Sequence, residues 1–358
     1  MSVTSPVIPL LGLLTLVVPL MGVLMALTPY LMPKRECFAV TVPDDAARDP
    51  YLRRLKRTYL AIMLALAVDP EHAFVATLVV AALVLCVGGY ALMLYFRAKV
   101  QRYKKAQGWV AEGRRSAGFI GDEPFPKPLS LAWDLLYVPV ILITLAMGIV
   151  GYPAMPGKVP LHMDLAGKVT EWADKSPGIV AFPVLFVVFI AVCLTVAHWV
   201  ILRSKKGSDP AMPAAGAWAY GMFARAQSAL LVGMGLLVSL LGPVIQLTFL
   251  GVLSMAQALV PIGVVVAVIL VASTAVSLVY GQNGSRLLAG RGGAMPRDND
   301  RYWKGGIFYV NPDDPALFLP ERFGIGWTIN LGRPAAWAFV VGFALVIAGF
   351  IAASFLLT

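Results

Sequence analysis

The sequence predicts an all-α integral membrane protein with about eight transmembrane helices and a small β-containing lid on the cytoplasmic side near the C-terminus. Three observations predict it. Of the 358 residues, 59% are hydrophobic and only 13% charged, and the mean hydropathy is +0.79, far above that of a soluble domain. Apolar runs of about 18 residues or more recur, each long enough as a helix to cross roughly 30 Å of hydrocarbon. The Lys and Arg residues gather in alternate loops, the pattern of a chain whose basic loops stay on the cytoplasmic side.

Taken in order, the spans are expected at 7–30, 57–71, 73–96, 131–151, 178–202, 226–248, 254–280 and 335–357. The second is short: its apolar run covers only Thr58 to Val68, and Asp69, Pro70, Glu71 and His72 interrupt it. Topology argues for it all the same. Loop 33–57 holds seven Lys or Arg and loop 97–127 holds eight. Both belong inside, so an even number of crossings must separate them. With both termini outside, 26 of the 29 basic residues then face the cytoplasm, leaving Lys158, Lys168 and Lys175 outside. The chain divides into a three-span region 1–130, a four-span core 131–280 with an outer loop at 152–177, a cytoplasmic module 281–334 and a last helix 335–358. The net charge of +10 is explained by orientation and calls for no direct contact with nucleic acid.

The first charge, Lys34, follows the first apolar run, whereas a secretory signal starts with basic residues, so that span is expected to be retained. Cys37, Cys86 and Cys193 form no CxxC and none lies in an expected outer loop, so neither a disulfide framework nor a thiolate metal site is suggested. The span interiors carry Gln246, Gln257 and His198, with Asp134 near a cytoplasmic end. Without a central carboxylate, an ion-coupled pump is disfavoured. His198 reads as a hydrogen-bonding residue between helices, and Pro139, Pro183, Pro243 and Pro261 as kinks adjusting helix packing.

Two regions carry the candidate chemistry. The first, "VPLHMDLAGKVTEWADKSP" (159–177), follows Pro153 and Pro156 and is expected to be an ordered or semi-ordered outer loop. His162 and Asp164 stand two apart, on one face if the backbone is extended. An imidazole and a carboxylate so placed suit acid–base work or a divalent metal, with Glu171 and Asp174 as further groups. His72, with Asp69 and Glu71, lies in the other charged outer turn and is a further metal candidate. The alternative is a solvated hairpin with Trp172 anchored at the interface and Lys175 near the headgroups. The sequence names no cofactor.

The second region is Gly281 to Pro334, too long and aromatic for a plain linker. Short strands are expected at 307–310, 316–319 and 325–330, with 311–315 as the turn between the first two. Asp298, Asp300, Asp313, Asp314 and Glu321 balance Arg297, Arg301, Lys304, Arg322 and Arg333, which suits a compact lid pairing its own charges. The alternative is a docking surface, or an anion pocket built from Arg301, Lys304 and Gly305. The glycines at 284, 290, 292 and 293 lack the Lys-Ser/Thr ending of a phosphate loop.

The outer stretch resembles the Pro-x-His-x-x-x-x-Gly...Trp-x-x-Lys signature of a family of uncharacterised bacterial multipass membrane proteins that includes the immunity protein for the sporulation-delaying killing peptide. "DNDRYWKGGIFYVNPDDPALFLPERFGIGWTINLGRP" is similar to a second uncharacterised module that accompanies it. The resemblance implies that Pro160, His162, Gly167, Trp172 and Lys175 act together on a ligand. In the module it marks Asp300, Trp303, Lys304, Gly305, Asn311, Asp314, Pro315, Arg322, Gly324 and Trp327. It implies a protein of the bacterial cytoplasmic membrane that senses or neutralises a peptide or lipid-like ligand outside and reports to a cytoplasmic protein partner. The alternative is a membrane-embedded enzyme acting on a lipid-linked or peptide substrate, with His162 as base or metal ligand assisted by Asp164 or Glu171.

Overall fold

The computed structural model describes residues 20–33, 35–67, 75–111, 125–163, 169–206, 212–288 and 298–357. Its helices are α1 (Leu20–Leu31), α2 (Pro50–Ala67), α3 (Val75–Ala106), α4 (Tyr137–Gly151), α5 (Pro177–Arg203), α6 (Pro213–Ser239), α7 (Leu241–Phe249), α8 (Met255–Tyr280) and α9 (Pro334–Leu357). Among the described residues, six helical segments are long and apolar enough to cross a membrane: Leu83–Ala106, Leu131–Ala154, Pro177–Arg203, Pro213–Phe249, Met255–Gly284 and Pro334–Leu357. The protein is a multipass membrane protein in contact with the lipid bilayer.

Four of these match expected spans closely, and two run longer. α3 continues past 96 to Ala106 because Arg97 and Lys104 are buried against other parts of the protein instead of ending the helix in water. The segment expected at 226–248 begins at Pro213, and its two halves, α6 and α7, meet at Leu240. Pro243 has no N–H to return to the Ser239 carbonyl, which breaks the helix there. α2 starts at Pro50 rather than 57: its exposed side is basic at Arg53, Arg54 and Arg57 and turns apolar at Ile62 and Leu66. α1 covers the end of the first expected span. Residues 7–19 and the turn at 69–72 lie outside the described residues.

Caps set the N-terminal ends of two spans. The Ser176 hydroxyl accepts from Ile179 N at 3.2 Å ahead of Pro177 at the first helical position. Ser254 and Gln257 form a capping box at the start of α8, with bonds of 3.2 and 2.8 Å. α8 and α9 are apolar on every face and leave Val264, Val271, Leu345 and Ile351 outward, as lipid requires. α5 packs against α4, α6, α7 and α9 and forms the spine of the second half.

The N-terminal half has its own core. Strands β1 (Glu36–Cys37) and β2 (Val40–Thr41) pair through a two-residue turn at Phe38 and Ala39, both left-handed at φ 48° and 58°. That strained turn is held because Phe38 is fully buried and stacked on Phe96 of α3, ring centroids 5.0 Å apart, with Tyr59 of α2 edge-on at 5.3 Å.

The C-terminal module contains small antiparallel pairs. β5 (Trp303–Lys304) pairs with β6 (Phe308–Tyr309), and β7 (Phe318–Pro320) with β8 (Trp327–Ile329). The expected strands at 307–310 and 316–319 therefore belong to different pairs. Gly305 and Gly306, at φ 58° and 83°, supply the turn that gives β6 its partner β5. The turn after β6 is organised instead by Asn330, fully buried, which accepts from Asn311 N at 3.0 Å and donates to the carbonyls of Asn311, Asp314 and Ala316 at 2.8–3.2 Å.

Candidate functional site

The stretch before α5 folds as a β-hairpin, β3 (Lys158–Met163) against β4 (Val169–Asp174), with Val159 opposite Ala173, Pro160 opposite Trp172 and His162 opposite Glu171. A bulge at Leu161 breaks the register, which lets a strand hold Pro160 without a missing ladder bond. Val159 is the anchor: fully buried, it packs with Met155, Ile179, Val180 and Phe249, fixing the hairpin on α5 and α7.

The side chains divide by role. His162 Nδ1 lies 2.6 Å from Glu171 Oε2, with both side chains largely exposed. Such a pair contributes under about 1 kcal/mol to stability, so fold stability does not explain its presence. Trp172 is 53% exposed. Lys175 turns inward, donating to the carbonyls of Pro153 and Met155 at 3.2 and 3.3 Å and lying 4.8 Å from the Tyr152 ring centre. It braces the base of the hairpin instead of reaching outward. Asp164, Gly167 and His72 lie outside the described residues. Among the described residues, no three His, Cys, Asp or Glu side chains are grouped to hold a metal ion.

Beneath the hairpin is a pocket of about 370 Å³ between β3, α5, α7 and α9. Phe182, Phe249, Phe350 and Phe355 line it, and His162 and Leu161 stand on the hairpin side. An apolar cavity with an imidazole beside it suits an amphipathic ligand. No local pattern signals this meeting, since Phe350 and Phe355 arrive from the last helix.

On the opposite side, the module is locked to the N-terminal half by buried charges. Arg322 donates to Glu36 at 3.1 Å, Asp300 at 2.6 Å, Asn299 at 2.8 Å and the Ala39 carbonyl at 3.1 Å, and also to Thr41. Arg97 donates to the same Ala39 carbonyl and to that of Trp303 at 3.2 Å. Lys104 bridges Asp298 and Asp300, both at 2.7 Å. Lys205, after α5, holds Asp314 at 2.8 Å. The charges of the module are thus paired largely with α3, α5 and the N-terminal loop rather than only with one another. Lys304 donates to the Arg301 carbonyl at 3.0 Å and Tyr90 to that of Gly305 at 3.3 Å. Trp303 is buried beside Tyr309, and Trp327 donates to the Tyr220 hydroxyl at 3.3 Å, so both tryptophans serve packing. Glu36, Arg97 and Lys104 were missed as site residues. A readable signal existed: Arg97, Val100 and Lys104 share one helical face, and all three are buried.

Burial pushes the Glu321 carboxyl up to about 7, against backbone hydrogen bonds from Arg322 and Phe323 that lower it. Its folded value lies above its unfolded one, so its contribution is complete below about 4.5 and fades as pH rises through about 7. Glu321→Gln should abolish a pH-dependent loss of up to about 3 kcal/mol between pH 5 and 8, read as the pH dependence of thermal unfolding.

A third cluster lies inside the bundle. His198 of α5, fully buried, places Nδ1 3.0 Å from Asp134 and Nε2 2.9 Å from the Leu129 carbonyl. The expectation of a histidine bonded between spans fits this geometry.

Residues 140–187 match the family model described as a domain of unknown function (DUF1648). That match covers most of α4, the β3–β4 hairpin and the start of α5. Residues 312–337 match a family of unknown function (DUF5808), covering the turn after β6, β7, β8 and the start of α9. Together they point to an uncharacterised family. No curated protein and no solved structure matches the chain.

Proposed function

We propose that this chain is a receptor of the immunity or signalling type in the bacterial cytoplasmic membrane. It takes an amphipathic peptide or lipid-like ligand at its outer face and reports through the module 281–334 to a cytoplasmic protein. The observation that carries the reading is the aromatic pocket of about 370 Å³ with His162 beside it. Phenylalanines accept the apolar part of such a ligand, while His162, Glu171 and Trp172 meet its polar part at the water interface. The topology proposed with it has eight spans and both termini outside, α1 and α2 each contributing to a crossing. It places the pocket outside and the charge-locked module inside, as a cytoplasmic lid.

The test is survival of cells expressing equal membrane amounts of wild type, His162→Ala or Phe350→Ala under a panel of membrane-active killing peptides. Protection by wild type, lowered at least tenfold by each substitution, is the expected result; tenfold corresponds to about 1.4 kcal/mol of ligand affinity. Absence of protection against every peptide rejects the immunity role. The 2.6 Å approach of His162 to Glu171 favours a second reading, an acid–base enzyme on a lipid-linked or peptide substrate. That reading requires turnover abolished by His162→Ala and little changed by Phe350→Ala.

A further inference from the structure

A second cavity, of about 560 Å³, lies where α5, α6 and α9 meet the β7–β8 pair. Gly178 at the start of α5 is packed against Leu357 at the end of α9, so the two helices run antiparallel. Arg203 and Pro334 therefore share one membrane face. The cavity belongs to that end of the α5–α9 seam, away from the pocket of Phe182 and Phe350, and its occupant is independent of what that pocket binds.

Its frame is fixed. Gln282 holds Gly326 on both sides, accepting from its N–H at 2.9 Å and donating to its carbonyl at 2.8 Å, and Trp327 is pinned to the Tyr220 hydroxyl. The space is thus pre-formed, and its size suits a ligand site. Its walls are graded: Val196, Val200, Phe339 and Phe343 form an apolar shaft that ends at Cys193. The α5 wall from Ile201 to Cys193 is about 12 Å long at 1.5 Å per residue, close to the roughly 15 Å of one leaflet's hydrocarbon. Toward the module the lining turns polar at Gln227 and Thr328. Gln227 is half-buried, and its amide has no hydrogen-bond partner among the described residues. No carboxylate lines the cavity.

The mouth is basic. Arg203 lies over Trp199, 6.0 Å from the ring centre, and Trp199 is in turn edge-on to Phe318 at 5.5 Å and stacked on Phe339 at 6.4 Å. Phe318 and Phe339 both line the cavity, so the guanidinium is one ring removed from its wall. Lys206 follows, exposed. Among the described residues neither cation has a carboxylate partner, whereas Lys104, Lys205 and Arg322 each have one.

The order of chemistry along the cavity identifies the occupant. Apolar shaft, unpaired amide and two cations follow the order of acyl chain, ester and phosphate. We propose that the cavity holds one acyl chain of an anionic phospholipid from the surrounding bilayer, with its ester at Gln227 and its phosphate at Arg203 and Lys206. A zwitterionic lipid fits the shaft equally well and gains less at the mouth.

The full chain is reconstituted into phosphatidylcholine vesicles with a trace of phosphatidylglycerol carrying a photoreactive diazirine midway along one acyl chain. After illumination, peptide mass spectrometry locates the adducts, and α8, whose Val264 and Val271 face lipid, reports ordinary lipid contact. Adducts on 193–201 and 339–343 are expected at about tenfold the level on α8 and about tenfold the level from a phosphatidylcholine probe with the same chain, the size two basic residues supply. Unlabelled phosphatidylglycerol should compete. Ala197→Phe fills the shaft and should cut these adducts about fivefold, because an overfilled cavity rejects the chain. Arg203→Gln combined with Lys206→Gln changes only exposed side chains, so it should melt as wild type does and lose the preference for phosphatidylglycerol while keeping adducts in the shaft. If Ala197→Phe fails to fold, the double variant decides. Equal labelling by the two probes, labelling no higher than on α8, or a double variant that keeps the preference overturns the proposal.

Discussion

Replacing Arg322 with Gln is expected to cost about 3–5 kcal/mol, the range for removing one partner of a buried ion pair. The size follows from what is left behind. Glu36 and Asp300 are both largely buried and share this one guanidinium, while Ala39, Thr41 and Asn299 take its remaining donors. Burial raises the Asp300 carboxyl, but Arg322 and the Lys104 hydrogen bond overcome that and hold it down at about 2. This depressed value gives stability that is present above about 3.8 and lost as pH falls toward 2. Arg322→Lys keeps the charge and loses the fork that reaches several acceptors at once, so it should fall between. Thermal unfolding in detergent reads the loss, and trypsin cleavage near Arg35 reads the release of the N-terminal loop. Unchanged melting of Arg322→Gln would show that the network is solvated and of little energetic weight.

The second large effect is at the buried pair in the bundle. Asp134→Leu leaves the His198 ring facing an apolar neighbour, and His198→Leu leaves a carboxyl group without its partner; each should cost about 3–5 kcal/mol. The double Leu variant removes both groups and should recover much of that, because an apolar pair of similar volume is often as stable as the polar pair it replaces. The quantity to measure is the coupling energy of the double-mutant cycle from unfolding in detergent. Additive losses would mean that the two side chains do not depend on each other, despite the 3.0 Å approach.

How much of this was legible in the sequence depended on the range of the interaction. The span expected at 178–202 is Pro177–Arg203, because a long apolar run and the Ser176–Pro177 start are local signals. The outer hairpin was expected only as a loop or a bare hairpin alternative, because Pro153, Pro156 and Pro160 read as breakers. The bulge at Leu161 that accommodates Pro160 has no signature of its own. The pocket joins His162 to Phe350, and the module lock joins Arg322 to Glu36; no periodicity spans such separations. In the sequence Arg97 and Lys104 read as loop charges, since a basic residue after an apolar run ordinarily marks a helix reaching water. Their burial became visible only once the module supplied the acidic partners.

The Arg322–Glu36 contact joins positions 286 residues apart, and that separation sets a timetable for biogenesis. Translation at about 5–20 residues per second puts roughly 15–60 s between the two. Throughout that interval the strained turn at Phe38–Ala39 lacks the guanidinium that bonds its carbonyl, and Glu36 has no arginine from the module to meet. The N-terminal half therefore matures last although it is made first. A truncated chain that stalls before the module should expose the 35–42 loop to quality-control proteases, with the later spans already in the membrane.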